Sequence, residues 1–336
     1  MDPDSVRQTT RVPHGGTAEE GVLEFSANVN PETPDGVRPV YEAAFGPSRR
    51  YSDDEYTAFR GGAASAVGCE PEEVIPTAGG LAAIRLAVAT TVEPGDRVIV
   101  PAPSFAEYAR EVRLQGGEPE YVGHDAILSA DPTDATLAVV CNPNNPTGNT
   151  YDSRALRTFV DRCRDAGTLV LVDEAFLGFT DRPSVAGIPG VVVARSLTKL
   201  YGLPGLRAGY AVATGERRDT LETARHAWSM GTPAATVGAY CLEQTAFAER
   251  TRERIETERS RMRAVLSESF GVYPSEAPFL LLDVGDRDAT ELVRACRELG
   301  VEIRDATTFR GLDSHVRVAV RLPDENDRLL EVLPDV

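Results

Sequence analysis

The sequence predicts an α/β fold: a three-layer large domain with a mainly parallel sheet, and a smaller α/β domain beside it. Along the middle of the chain, short apolar runs alternate with helix-patterned segments of about a dozen residues, as in βαβ units. Loops rich in glycine, proline and asparagine follow several of these runs. Because open parallel sheets bind ligands where their strands end, we expect the functional residues in those loops.

The first part of the chain predicts an arm followed by two helices. Residues 1–24 are polar, and a short extended piece at 23–26 leads into a loop. Apolar residues recur at helical spacing over 53–67, and a helix of small residues is expected at about 80–91.

The middle of the chain predicts the sheet itself. The expected strands are 97–100, 118–122, 137–141, 169–173, 191–195 and 209–213, with helices at 105–115 and 153–165. Short apolar runs of this kind are typical of strands that are buried on both faces.

The last part predicts a long helical region at about 236–269 and then a smaller α/β layer. Its expected strands are 279–284, 301–304 and 315–321, with helices at 288–299 and 324–333. We therefore divide the chain into an arm of residues 1–45 that joins the small domain, a large domain of residues 46–225, and a C-terminal part of residues 226–336.

Composition limits the partners. The 336 residues carry 52 acidic and 35 basic side chains, a net charge of −17, which disfavours nucleic acid and anionic membranes. The five cysteines show no CxxC spacing, so neither disulfides nor a metal site is expected. Without a signal peptide or membrane-length apolar run, we expect a soluble, cytoplasmic protein. The acidity is typical of a halophilic, salt-rich cytoplasm, although a GC-rich genome alone explains the arginine bias.

Lys199 is the only lysine in the chain, which also has 34 arginines, and it follows the predicted strand at 191–195. Arginine stays protonated in proteins, whereas a desolvated lysine can lose its proton and form a Schiff base with a carbonyl. Composition drift that spared one lysine by chance explains the lone residue equally well. The neighbouring motifs decide between these interpretations.

Two motifs ahead of Lys199 suit a phosphorylated aromatic ligand. Gly79 and Gly80 open a helix, and backbone N–H groups at a helix start favour a phosphate, although such glycine turns are common. Leu81 follows without a hydroxyl, so the contacts there come mostly from the backbone. Phe105 lies just beyond a strand, where its ring can stack on a ligand or pack in the core.

Three further motifs supply polar groups. The segment CNPNNPTG at 141–148 specifies a rigid turn with projecting amides. Asp173 ends a run of buried aliphatic residues, and a buried carboxylate needs a cation, either in a ligand or on an arginine. Arg207 follows Lys199 by eight positions and is either a phosphate partner or a surface charge.

This set of side chains fits pyridoxal 5′-phosphate as the cofactor. Lys199 would hold its aldehyde, and Asp173 would keep its ring nitrogen protonated so that the ring accepts electrons. Asn145 would hydrogen-bond the ring oxygen, Phe105 would stack on the ring, and Arg207 would bind the phosphate.

With these motifs in this order, the chain resembles the fold-type-I pyridoxal-phosphate family over nearly its full length. The motifs that carry the resemblance are NNPTG at 144–148, DEA at 173–175, SLTK at 196–199 and GLR at 205–207. The resemblance implies that Thr198 and Phe176 also contact the cofactor. It further implies a homodimer in which Tyr51 of one subunit reaches the cofactor phosphate of the other.

Two branches of that family are similar to this sequence: histidinol-phosphate aminotransferases and the L-threonine-O-3-phosphate decarboxylases of cobalamin biosynthesis. Segments that look like the decarboxylase are HGG at 14–16, FSANVNP at 25–31, FAEY at 105–108, WS at 228–229 and RVAVR at 317–321. Phe176 stands where aminotransferases usually place a tyrosine on the ring oxygen, and the decarboxylase resemblance predicts phenylalanine there.

The decarboxylase resemblance implies a small phosphorylated amino acid as the substrate. The residues that it implies for the substrate's phosphate and carboxylate are His14, Gly15, Asn28, Asn145, Arg304 and Arg317. Arginine binds both groups bidentately, so two anionic ends call for two anchors. Alternatively, His14 belongs to a mobile arm, and the two arginines are strand-end charges in surface pairs.

The expected activity is decarboxylation of L-threonine O-3-phosphate to (R)-1-aminopropan-2-yl phosphate, with Lys199 and Asp173 as the catalytic residues. The alternative is a histidinol-phosphate-type transamination with glutamate and 2-oxoglutarate. Which bond to the substrate Cα breaks depends on which one is held perpendicular to the cofactor ring, and a sequence does not show this geometry. A remote alternative is a non-catalytic, ligand-sensing member of the fold, although no DNA-binding segment is attached.

Overall fold

The structure is a computed structural model that describes residues 1–16, 19 and 21–333. Its elements up to residue 165 are α1 (Pro3–Gln8), β1 (Leu23–Glu24), α2 (Val37–Ala43), α3 (Thr57–Val67), β2 (Val74–Thr77), α4 (Gly80–Ala89), β3 (Arg97–Ala102), α5 (Glu107–Leu114), β4 (Glu118–Gly123), β5 (Leu137–Cys141) and α6 (Ser153–Asp165). The elements that follow are β6 (Leu169–Asp173), β7 (Val191–Ser196), α7 (Leu197–Leu200), β8 (Gly209–Val212), α8 (Gly215–Ala224), α9 (Thr232–Leu242), α10 (Thr245–Leu266), β9 (Gly271–Val272), β10 (Phe279–Asp283), α11 (Ala289–Glu298), β11 (Val301–Glu302), β12 (Arg304–Asp305), β13 (His315–Ala319) and α12 (Pro323–Val332). Single-turn 3-10 helices are left out of this numbering.

A seven-stranded sheet with the order β2-β8-β7-β6-β5-β3-β4 forms the centre of the molecule. Strand β8 runs antiparallel to β2 and β7, and the remaining neighbours are parallel. Every residue of β5 and β6 is buried, as expected for strands covered by helices on both faces. The predicted fold class is therefore confirmed.

Alternate residues of the central strands supply two separate hydrophobic cores. Val140 of β5 and Val172 of β6 belong to one core, whereas their chain neighbours Val139 and Leu171 belong to the other. Because side chains of a strand point alternately to the two faces, these cores lie on opposite sides of the sheet. This two-sided burial keeps the strand ends in register at one edge.

The C-terminal part contains a four-stranded antiparallel sheet with the order β12-β13-β10-β9. Strand β1, from the N-terminal arm, pairs in parallel with β11. Helix α11 beside this sheet is capped by Asp288, whose carboxylate accepts from two backbone N–H groups at the start of the helix. The domain boundaries at residues 45 and 225 stay a prediction.

The prediction of one long helical region at 236–269 is wrong. Two helices, α9 and α10, occupy it, and the chain leaves helical geometry at Gln244, with φ −86° and ψ 59°. Helix α9 packs on α2 and α3, whereas α10 packs on α12 and β10. One straight helix cannot lie on both surfaces. The polar residues Glu243 and Gln244 are good helix formers, so the pattern does not reveal the break.

Helices α1, α2 and α8 are absent from the sequence prediction because they are short or largely polar. Helix α1 begins at Asp2, whose side chain accepts from the backbone N–H of Ser5, and it contacts α5. The predicted N-terminal arm is thus partly helical. Across the residues that the structure describes, we find no helix with both the length and the apolarity needed to span a bilayer.

Candidate active site

A cavity of about 340 Å³ opens where strands β5, β6 and β7 end. Cys141, Asp173 and Ser196, the last residues of these strands, all line it. The predicted site residues that also line the cavity are His14, Gly15, Asn28, Gly80, Leu81, Phe105, Asn145, Phe176, Thr198, Lys199, Arg207, Arg304 and Arg317. The topology therefore brings together residues from five separate sequence motifs and from the N-terminal arm.

Lys199 lies in α7, the single helical turn that begins directly after β7. The backbone N–H of Asn30 donates to the carbonyl of Lys199 at 3.0 Å, which ties this turn to the N-terminal segment. Burial lowers the pKa of Lys199 to about 8, and the positive charges of Arg317 and Arg207 add to this effect, while Asp173 opposes it. A larger fraction of this amine is thus neutral near physiological pH, and the neutral amine is the nucleophile.

An anion cradle lies at the start of α4. Gly79 has φ +92°, and a Cβ there would stand 2.7 Å from Nη2 of Arg207. Gly80 is less confined, since its Cβ would stand 3.2 Å from the Cβ of Ser196. Glycine at these two positions therefore leaves room for a group between the helix start and the guanidinium. Gly79 itself lies under Arg207 rather than in the cavity wall.

Hydroxyl groups and Arg207 complete the cradle. The side-chain oxygens of Ser196 and Thr198 lie 2.7 Å apart. Arg207 has φ +56°, a left-handed conformation, and donates to the carbonyl of Pro204 at 3.2 Å. Within the described residues it forms no ion pair. Backbone N–H groups at a helix start, hydroxyls and a guanidinium without an ion pair together suit a phosphate.

Asp173 is buried beneath the cavity, with each carboxylate oxygen holding one hydrogen bond. The hydroxyl of Tyr108 donates to Oδ2 at 2.6 Å, and the backbone N–H of Ala175 donates to Oδ1 at 2.9 Å. Burial raises the pKa of Asp173, and these two hydrogen bonds oppose the rise. Among the described residues, Asp173 forms no salt bridge with an arginine, so that alternative prediction is wrong.

Arg317 is buried and has no carboxylate partner in the part of the chain that the structure describes. One terminal nitrogen donates to Oδ1 of Asn145 and the other to the carbonyl of Ser26 at 2.8 Å, while Nε has no partner. Burial lowers its pKa to about 9, and the neighbouring charge of Arg304 lowers it further. A buried guanidinium with only neutral partners is a strong site for an anion.

Arg304 lies nearer the cavity mouth. Its Nη2 donates to the carbonyl of Pro13 at 3.1 Å and to the hydroxyl of Thr308 at 2.8 Å. The guanidinium carbons of Arg304 and Arg317 both lie over the ring of Phe309, at 5.6 and 5.8 Å from its centroid. The shared ring partly offsets the repulsion between the two charges. Arg304 begins β12, but neither arginine forms an ion pair with a residue that the structure describes, so the alternative of surface pairs is wrong for both.

The N-terminal arm closes one side of the cavity. Nε2 of His14 lies 3.0 Å from Oε1 of Glu107, and its ring centroid is 5.8 Å from that of Phe105. Only glycine fits at position 15, because a Cβ there would stand 2.3 Å from the carbonyl oxygen of Ser26. The arm therefore reaches the cavity despite the short segment that follows it.

Two more predicted residues, Asn28 and Phe176, show that one part of the cavity wall is polar and another is apolar. Asn28 is buried, and its Oδ1 has no hydrogen-bond partner. Phe176 packs edge-on against Phe279 with centroids 5.1 Å apart and offers no hydroxyl to the cavity. An unpaired buried amide oxygen is costly unless a ligand donor reaches it.

Tyr51, like Gly79, is a predicted site residue that does not line the cavity. Its side chain is 81% exposed and stacks on Trp228, with ring centroids 4.4 Å apart. It lines a separate surface depression together with Tyr56 and Thr232. This position is consistent with the expected contribution to a second subunit, which remains a prediction.

Tyr108 and Glu107 contribute to the site although the sequence reasoning did not select them as site residues. Both stand in the FAEY segment beside Phe105, and both are buried. A buried tyrosine hydroxyl and a buried carboxylate each need a polar partner, and this need was the available signal. What the sequence could not show was which partners they find.

The cavity fits the predicted cofactor. The glycine cradle supplies space that a Cβ would fill, and the neutral fraction of Lys199 and the carboxylate of Asp173 face the cavity. Four of the described residues that line it are lysine or arginine and one is a carboxylate, in a chain whose net charge is −17. This local reversal of charge suits strongly anionic ligands.

Similarities to known proteins agree with this geometry. The chain is 37% identical over 262 residues to the histidinol-phosphate aminotransferase of Symbiobacterium thermophilum, covering 74% of this chain and 72% of that protein. It is 31% identical over 340 residues to the threonine-phosphate decarboxylase of Salmonella typhimurium, covering 96% and 93%. The fold matches histidinol-phosphate aminotransferase from Sinorhizobium meliloti in complex with pyridoxal-5′-phosphate, with a TM-score of 0.84 at 23% identity, covering 100% of this chain and 94% of that one.

A family model described as aminotransferase class I and II matches residues 20–333. This match spans most of the chain and, with the cavity residues, confirms pyridoxal 5′-phosphate as the cofactor. The chain belongs to the class I and II aminotransferase family.

Proposed function

We propose that the protein is a pyridoxal-phosphate enzyme that decarboxylates L-threonine O-3-phosphate to (R)-1-aminopropan-2-yl phosphate. The observation that carries this proposal is the set of arginines in the cavity. Among the described residues, Arg207, Arg304 and Arg317 donate hydrogen bonds only to uncharged oxygens. Arg207 belongs to the cradle for the cofactor phosphate. Two guanidinium groups then remain for a substrate with two anionic ends.

The two substrate anchors differ in depth. Arg317 is deep, beside Asn145, and its charge acts on Lys199, so we assign it to the substrate carboxylate. Arg304 lies near the mouth, close to the backbone of Pro13 and hence to His14, so we assign this end to the substrate phosphate. Asn28, with its unpaired Oδ1, completes the substrate side of the cavity and can accept from the substrate amine.

The residues around Lys199 perform the chemistry. Bound pyridoxal phosphate supplies an aldehyde and a ring that accepts the electrons left at the substrate Cα. The carboxylate of Asp173, which lines the cavity, would hold a proton on the ring nitrogen. Lys199 Nζ would hold the aldehyde, and the same amine is placed in the cavity to return a proton to the substrate Cα. Arg317 orients the carboxylate that leaves as carbon dioxide.

Phe176 supports decarboxylation over transamination. In the family resemblance, aminotransferases usually place a tyrosine hydroxyl on the ring oxygen at this position, and the decarboxylase places phenylalanine. Phe176 is buried against Phe279, so no hydroxyl is available there. The His-Gly-Gly arm with its contact to Glu107 supports the same reaction, because this segment is similar to the decarboxylase opening.

A second candidate is transamination of histidinol phosphate with 2-oxoglutarate. It is favoured by the relatives, since the match at 37% identity and several further matches are named histidinol-phosphate aminotransferase. Both substrates are phosphorylated amines, and the anion anchors suit either. Histidinol phosphate lacks the carboxylate, but 2-oxoglutarate and glutamate each carry two, so the release of carbon dioxide is what discriminates between the candidates.

One experiment separates the candidates. Purified protein loaded with pyridoxal phosphate is given phosphothreonine without a 2-oxo acid and, separately, histidinol phosphate with 2-oxoglutarate. The proposal predicts carbon dioxide from the first mixture and no glutamate from the second. Glutamate formation without carbon dioxide release would instead establish the aminotransferase.

We also propose a homodimer in which Tyr51 of the partner subunit completes the phosphate cradle. Tyr51, Trp228 and Phe45 are exposed aromatic side chains, at 81%, 50% and 76% exposure. Sedimentation in concentrated salt should give twice the chain mass. A monomer that still binds the cofactor at full affinity would exclude this arrangement.

A further inference from the structure

Tyr108 and Asp173 form a buried pair under the cavity. Tyr108 is completely buried in the first turn of α5, and its hydroxyl donates to Oδ2 of Asp173 at 2.6 Å. The ring of Phe105, three residues earlier, meets the ring of Tyr108 edge-on with centroids 5.6 Å apart. One short segment thus connects the aromatic wall of the cavity to its carboxylate.

We propose that Tyr108 is a positioning residue that keeps Asp173 ionised and aimed at the ring nitrogen of the cofactor. This inference rests on the proposed role of Asp173. The carboxylate has two protein hydrogen bonds, from Tyr108 and from the backbone N–H of Ala175, one to each oxygen. Since each oxygen can accept a second bond, capacity remains for a donor in the cavity.

The charges around Asp173 show why the hydroxyl matters. The groups that face it from the packed elements are Tyr108 from α5, Cys141 from β5, its neighbour Glu174 and Lys199 from α7. Burial raises the pKa of Asp173, and the hydrogen bond from Tyr108 is the largest effect in the opposite direction. Lys199 is a weaker counter-charge because its own pKa is lowered.

Tyr108 is suited to remain a donor throughout the working range. Burial and the charge of Asp173 raise the pKa of Tyr108 well above its usual value of 10, so the hydroxyl keeps its proton. A phenylalanine at this position would keep the ring and its packing on Phe105, and would remove only the donor. Asp173 would then take up a proton more readily.

The test compares Tyr108→Phe with a matched control, Tyr151→Phe. Tyr151 is also buried, and its hydroxyl donates to the carbonyl of His124 at 2.8 Å, away from Asp173. For Tyr108→Phe we expect kcat to fall about tenfold at neutral pH, KM to stay within about twofold, and the acid limb of the pH profile to move up by about one unit. Tyr151→Phe should keep the wild-type pH profile.

A second readout does not depend on turnover. Equilibrium dialysis of pyridoxal phosphate against the unloaded proteins should show that Tyr108→Phe binds it about tenfold more weakly near pH 6 and nearly normally near pH 9, where Asp173 is ionised in both proteins. Adding Tyr108→Phe to Asp173→Asn should change cofactor affinity less than about twofold. An unchanged affinity profile, or an equal shift in Tyr151→Phe, would overturn the inference. Wild-type protein that binds the cofactor but catalyses neither reaction would contradict only the proposed function.

Discussion

Arg317 donates a hydrogen bond to Oδ1 of Asn145, across 172 positions of the chain. Asn145 lies in the loop after β5 of the large sheet, and Arg317 lies in β13 of the small sheet. The cavity is therefore closed by side chains from both sheets. A substrate anion that binds Arg317 also reaches the loop that we expect to contact the cofactor ring.

We expect Arg317→Gln to reduce kcat/KM for phosphothreonine by about a hundredfold or more. The substitution removes a buried guanidinium whose two terminal nitrogens lie at the cavity. Bidentate hydrogen bonds from a charged guanidinium to an anion are among the strongest, so their loss should be large. Steady-state kinetics measure the effect. The matched control is Arg328→Gln, an exposed arginine whose ion-pair partner is Glu331. Equal losses in both variants would show that the effect is not local.

The rate at which unloaded protein captures pyridoxal phosphate should rise with pH, with a midpoint near pH 8, and level off about one pH unit higher. The neutral amine of Lys199 is the reacting form, and its pKa is lowered from 10.5 to about 8. Because Arg317 and Arg207 contribute to the lowering, Arg317→Gln should move the midpoint to higher pH. Absorbance of the bound cofactor follows the reaction. A wild-type midpoint near pH 10 would contradict the desolvated environment of Lys199.

Loss of the arm contact should weaken substrate binding and leave cofactor binding intact. His14→Ala and Glu107→Gln are each expected to raise KM for phosphothreonine about tenfold, because Glu107 holds His14 over the cavity at 3.0 Å. If the two residues act together, the double variant should be within about twofold of His14→Ala. Glu118→Gln, at an exposed strand position, is the control. If the effects of the two substitutions on KM instead add in the double variant, His14 and Glu107 act independently.

Gly79→Ala should lower cofactor affinity at least about tenfold. The new Cβ would stand 2.7 Å from Nη2 of Arg207, at a residue whose φ is +92°. Both the strained backbone and the displaced guanidinium act on the phosphate cradle. Gly61→Ala is the control, because its Cβ would meet nothing within 4 Å and Gly61 lies inside α3, where alanine is favoured. Equal affinities for Gly79→Ala and wild type would exclude the cradle.

Much of the fold was predictable because local pattern and tertiary burial agree. Strands β5 and β6 and helix α6 have the predicted bounds, since their apolar periodicity matches two-sided or one-sided burial. The break between α9 and α10 was not predictable, because Glu243 and Gln244 favour a helix and the bend depends on two separate packing surfaces.

The position of the candidate site was predictable from the loops at the strand ends. Which side chains pair with one another inside it was not predictable. Asp173 and Lys199 were each predictable alone, because one is a carboxylate at the end of a buried strand and the other is the only lysine in the sequence. Tyr108 was not selected, because a tyrosine at helical spacing from Phe105 packs in a core more often than it positions an acid. Its role depends on which carboxylate its hydroxyl reaches, and only the folded structure shows that this is Asp173 at the end of β6.

The central claim is that Lys199 holds the cofactor, and this chain allows an unusually direct test. Lys199 Nζ and the N-terminal amine are its only amines, because the sequence has no other lysine. Borohydride reduction of the loaded protein followed by peptide mass spectrometry locates the label. The account predicts one pyridoxyl phosphate group per chain on the peptide that contains Lys199. Unlabelled Lys199 in protein that has retained its cofactor would contradict it.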